Sequence, residues 1–108
     1  MSDDLQVIDN TETSRFEIRL GDEVAFAEYL VRPHAQALVL PHTVVPPAFE
    51  GKGVASKLAQ YAMAYAREHG LKVIPTCPFM ASYIQRHPEV QDLVHPHYRE
   101  KLGLGPLP

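Results

Sequence analysis

The chain has 108 residues, enough for one domain and too few for a second. With 45% hydrophobic and 21% charged residues it has the composition of an ordinary globular protein, which excludes a natively disordered chain. Ten Lys and Arg against thirteen Asp and Glu give a formal charge of −3 and a pI near 6.0, without the broad positive field that draws proteins onto nucleic acid, so no nucleic-acid partner is expected.

The N-terminus, Met1-Ser2-Asp3-Asp4, has no basic region leading into an apolar run, and no apolar stretch approaches the roughly 20 residues that cross a bilayer. Neither a secretory signal nor a membrane partner is expected. Residues 5–8 form a short apolar patch. Arg15-Phe16-Glu17-Ile18-Arg19-Leu20 alternates polar with apolar, the period of a half-buried strand, and Gly21-Asp22 reads as a hairpin turn into a second amphipathic strand, Glu23 to Val31. A third strand starts at Ala37 and resumes at Thr43-Val44-Val45 beyond Pro41, which cannot donate to a ladder and so calls for an edge or a bulge. After Pro46-Pro47 the period becomes helical: Val54, Leu58, Tyr61, Ala62, Tyr65 and Ala66 form one stripe of a helix over about 53–69, with Gly70 as its stop. Lys72-Val73-Ile74 is a short buried strand. Pro78 and Pro88 each suit the first position of a helix, the second running to about Arg86 and the third to about Val94. Residues 1–4 and 103–108 are expected to be loose tails of the single domain.

Two segments carry chemistry. Glu50-Gly51-Lys52-Gly53-Val54-Ala55 opens the long helix with glycines where Ser, Thr, Asp or Asn usually caps the free amides. Glycines allow close approach to the main chain, and free amides with the helix dipole attract an anion, so the segment is either an ordinary turn or a phosphate cradle. It is neither a P-loop, since no lysine precedes Ser or Thr, nor a dinucleotide fingerprint, since Ser56 stands where the third glycine belongs. The other segment is Thr76-Cys77-Pro78-Phe79. With Pro78 first in its helix, Cys77 takes the N-cap, where the dipole favours a thiolate; a buried structural thiol is the alternative. One cysteine makes neither an internal disulfide nor a cysteine-based zinc site, and a reducing, cytoplasmic setting is expected. His95-Pro96-His97 has no nearby third ligand, and no metal is assigned.

In order, these marks resemble the GNAT superfamily of acyl-CoA N-acyltransferases, and within it the small single-domain subfamily with a C-terminal Cys-Pro-Phe motif. Gly53 and Ala55 fill the last two fixed positions of the superfamily's coenzyme A loop. They are joined by His42-Thr43, Val45-Pro46, Pro75-x-Cys77-Pro78-Phe79, and Tyr83 followed by His87-Pro88-Glu89, over residues 16–94. Glu50 departs from the pattern, standing where the superfamily has Gln or Arg, and a carboxylate there should weaken pyrophosphate binding unless it points to solvent; Lys52 would partly offset it. The resemblance implies an α/β fold with a mixed, mostly antiparallel sheet, a long helix after the coenzyme A loop and short C-terminal helices. Its fourth and fifth strands would splay around the pantetheine arm of acetyl-CoA.

The activity implied is acetyl transfer to an amine, with Glu50 to Ala55 and the main chain at Val44 and Val45 binding the cosubstrate. His42 would be the base toward the amine, with a plain surface or hydrogen-bonding histidine as the competing role; Cys77 would be the acetyl carrier of a covalent route, and Tyr83 an acid for the leaving thiolate, with core packing as its competing role. A non-catalytic coenzyme A-binding or protein-interaction module is the alternative. Neither the acceptor nor the oligomeric state is written in the sequence.

Overall fold

The computed structural model describes residues 5–105, so the expected loose ends at 1–4 and 106–108 lie outside the described residues. Five strands form one sheet in sequence order: β1 (Ile8–Asn10), β2 (Arg15–Leu20), β3 (Glu23–Arg32), β4 (Ala37–Val44) and β5 (Lys72–Ile74). The first four are antiparallel neighbours, whereas β5 runs parallel to β4, so the sheet is mixed and mostly antiparallel. The long crossover that a parallel pair requires is supplied by α1 (Val54–Glu68). After β5 come α2 (Pro78–Arg86), a 3-10 turn over Pro88–Leu93, and α3 (Pro96–Arg99), which runs on into another 3-10 turn, Glu100–Leu102.

Alternation in the strands sorts the sheet into two faces. Phe16, Ile18, Ala25, Ala27 and Tyr29 face α1, whose buried stripe is Val54, Leu58, Ala59, Ala62, Met63 and Ala66. Phe16 stacks on Tyr29 at 4.3 Å and meets the rings of Tyr61 and Tyr65 on the helix. The opposite face carries Arg15, Glu17, Arg19, Phe26, Glu28, Leu30, His42 and Val44, all half-buried or exposed except Glu17. The Glu17 carboxylate accepts hydrogen bonds from Arg15, Arg19 and Asn10, and Arg15 also lies over the Phe26 ring.

The expected bulge falls at Pro41. Leu30 pairs with Val39 and Glu28 with His42, so Leu40 and Pro41 together oppose Tyr29. Gly70 ends α1 in the left-handed conformation, with the Leu71 amide bonding the Ala66 carbonyl and the Gly70 amide that of Arg67.

Two expectations are corrected. Pro88–Leu93 winds as a 3-10 turn in place of an α-helix running to about Val94: the Arg67 side chain takes the Glu89 carbonyl that an α-helix would offer to the Leu93 amide, the Val94 amide bonds the Gln91 carbonyl, and the His95 amide leaves for the Val73 carbonyl. The chain is also held past Gly103. The Leu104 amide bonds the Arg99 carbonyl, and the Leu104 side chain packs on the core. No helix among the described residues is long and apolar enough to cross a membrane.

Candidate active site where strands four and five part

β4 and β5 pair only from Ala37–Val39 to Lys72–Ile74. Beyond this the bulge carries β4 on to Val44, while Pro75 turns the other chain away, with the Thr76 amide folding back on the Ile74 carbonyl. The Cys77 amide then bonds the Leu40 carbonyl at 3.0 Å, fixing the base of the gap and leaving the outer edge of β4 past Leu40 without a strand beside it.

Cys77 is the N-cap of α2, as expected, and its side chain turns inward. It is 5% exposed, and its thiol donates to the Thr43 hydroxyl at 3.5 Å. Thr43 was given no role by sequence reasoning beyond its place in the His42-Thr43 pair. His42, one residue earlier, lies on the opposite face of the sheet beside Glu28 and is exposed. Cys77 and His42 thus address the gap from opposite sides. Val44, on the open face at the end of β4, and Val45, just past it, are 44% and 37% exposed.

The glycine segment directly follows β4. Gly51 and Gly53 have φ of +79° and +67°, which L residues avoid, and Gly53 is the N-cap of α1 with no side chain capping the amides. No acidic residue occupies the first turn, Glu50 is exposed, and Lys52 is half-buried with its amide on the Phe49 carbonyl. Val54 is buried and anchors the turn, while Ala55 is half-buried. Free amides at the positive end of a 15-residue helix suit an anion.

Tyr83 is not brought to this gap. It is 3% exposed on the side of α2 that faces α1, its ring stacked on His87 at 4.0 Å and its hydroxyl hydrogen-bonded to Gln60. Burial and the nearby Glu89 charge push its phenol above the usual range. His95 and His97 serve local structure: the His95 ring accepts the His97 amide at 3.2 Å and caps α3.

Residues 15–93 match the model of the GCN5-related N-acetyltransferase domain. Among curated proteins the chain is similar to protein NATD1 of Xenopus tropicalis, 31% identical over 105 residues that cover 94% of this chain and 88% of the relative. It is 32% identical to protein NATD1 of Gallus gallus over 95 residues, 84% of each chain. It is 36% identical to protein NATD1 of Homo sapiens over 63 residues, covering 58% of this chain and 50% of that one. A mixed sheet whose parallel pair parts beside a glycine-led helix, and a family match across most of the chain, lead to one conclusion: the chain belongs to the GCN5-related N-acetyltransferase family.

Proposed function

We propose that the protein transfers the acetyl group of acetyl-CoA to an amine, using the gap between β4 and β5. The observation that carries this reading is the conjunction at the end of β4 of an unpaired strand edge, a buried thiol and an uncapped, glycine-led helix start.

The amides at the start of α1 fit a pyrophosphate, since they are free of side-chain caps and of first-turn carboxylates. The exposed Val44 and Val45 mark the strand edge along which a pantetheine arm would run, and main-chain amides there would stabilise the oxyanion of a tetrahedral intermediate. With the cosubstrate on the helix side, the amine approaches from the open face. His42 stands on that face and takes the amine proton as nitrogen attacks the thioester. This direct route needs no metal. In a covalent route, supported by the position of the thiol inside the gap, the Cys77 sulfur takes the acetyl group as its proton passes to the departing CoA, which leaves as the thiol, and the amine then takes the acetyl group and restores the free thiol. Tyr83, in its separate groove, is read as support for the packing of α2 on α1. A free, buried Cys77 suits a reducing, cytoplasmic setting.

Thermal unfolding with ligands tests the reading. At one hundred times Kd, acetyl-CoA or CoA should stabilise by about 2.7 kcal/mol, and NAD should not. Stabilisation by neither CoA species removes the proposal, while stabilisation without amine-dependent thiol release leaves a non-catalytic binding module. Intact mass after acetyl-CoA alone separates the routes: an acetyl adduct that disappears in Cys77→Ser supports the covalent one.

A further inference from the structure

Away from the gap, a groove of about 610 Å³ with a mostly apolar lining runs between the outer side of α1, the end of α2 and the turn that follows. Its volume falls in the range of small-molecule sites. Met63, Ala64, Val90 and the Tyr83 ring make its floor, and Gln60 contributes a carboxamide.

Its charges are not balanced. Arg67, the one basic side chain in the lining, is committed to Asp92 through a two-nitrogen contact, 3.0 and 3.1 Å, and to the Glu89 carbonyl. The two carboxylates on the lining, Glu68 and Glu89, remain largely exposed. Glu89 meets the His87 ring at 3.1 Å through one oxygen, and Glu68 stands 3.7 Å from His69, so neither is held by Lys or Arg in these contacts. Apolar floor, one carboxamide and an anionic rim are the complement of a flat hydrocarbon or aromatic body carrying an ammonium group. The same rim disfavours a phosphorylated nucleotide.

We propose that this groove binds an organic cation, an amine carried on a flat apolar body, at a site distinct from the coenzyme A gap. The inference does not rest on acetyl transfer, because neither Cys77 nor the glycine segment lines the groove.

Calorimetric titration of the whole protein with tryptamine, 3-methylindole and indole-3-propionate tests it. Each exposed ion pair changes affinity about 1.5- to 5-fold at low salt, so tryptamine should bind several-fold more tightly than the neutral analogue and more tightly still than the acid. Glu68→Gln and Glu89→Gln should each remove part of that preference without weakening 3-methylindole. Ala64→Trp, at an exposed position, should block all three probes while the melting temperature stays within a few degrees of wild type. The proposal is overturned if the three probes bind alike, if none binds at millimolar concentration, if Ala64→Trp leaves tryptamine binding intact, or if saturating CoA displaces tryptamine.

Discussion

Glu17 is the buried charge of the open face, and its environment makes it a pH-sensitive residue. Burial alone would raise its carboxyl, but hydrogen bonds from Arg19, Arg15 and Asn10, with the Arg15 charge, outweigh this and hold it below the usual range. A carboxylate whose folded value is depressed adds stability that is fully present above its unfolded value, near 4.5, and is lost as pH falls through the folded value. Urea midpoints should therefore decline below about pH 4.5 in the wild type and decline less in Glu17→Ala, which at neutral pH should cost about 1–3 kcal/mol for its charge-assisted hydrogen bonds. Cys77 shows the limit of reading a residue from its neighbours. Thr76-Cys77-Pro78 fixes an N-cap but not which way the thiol turns, and the inward turn follows from the Leu40 carbonyl and the Thr43 hydroxyl, 37 and 34 positions back along the chain. Iodoacetamide should accordingly modify native Cys77 far more slowly than a cysteine in the urea-unfolded chain; equal rates would mean that the gap stands open.

At the scale of elements, the start of α1 offers a way to separate folding from binding. Gly53 is left-handed at φ +67°, with open space where a side chain would go, so a substitution there acts through backbone strain and through whatever meets the amides. Gly53→Asn, a residue that tolerates this conformation, should melt close to wild type, whereas Gly53→Val should lose about 1–2 kcal/mol. Both should weaken CoA binding, because both place a Cβ over the amides. Normal CoA affinity in Gly53→Asn would move the phosphate elsewhere. The elements legible in the sequence were those with a local cause: α1 from its apolar stripe, α2 from Pro78, the hairpin from Gly21-Asp22, and the bulge from a proline that cannot donate. The 3-10 turn after Pro88 was not legible as such, because the groups that bear on its winding, the Arg67 side chain on the Glu89 carbonyl and the Val73 carbonyl on the His95 amide, come from distant parts of the sequence. α3 has only four residues, too few for a period to show.

As a whole, the molecule has one core and one open face, and the two should respond differently to the same kind of change. Leu38, fully buried on the helix side, should cost about 2–5 kcal/mol as alanine, while Leu30, 43% exposed on the other, should cost within about 0.5 kcal/mol as lysine, both by urea unfolding. The candidate site was legible only in part for the same reason: local sequence places the glycine segment and Cys77 at helix starts, whereas the position of Tyr83 away from the gap and the division of His42 and Thr43 between faces depend on packing and on pairing across strands. That division hangs on a single inserted residue. Ahead of the bulge the even-numbered Leu38 and Leu40 look toward the helices; behind it the odd-numbered Thr43 does, aligned with Ala27. The extra residue works as a half-period phase shift in a two-beat pattern. Iron out the bulge with Pro41 kept in the ladder, so that Leu40 alone opposes Tyr29 and Pro41 opposes Glu28, and His42 falls opposite Ala27 while Thr43 falls opposite Phe26. The imidazole would then meet the thiol, the hydroxyl would face solvent, and base and sulfur would share one side of the sheet.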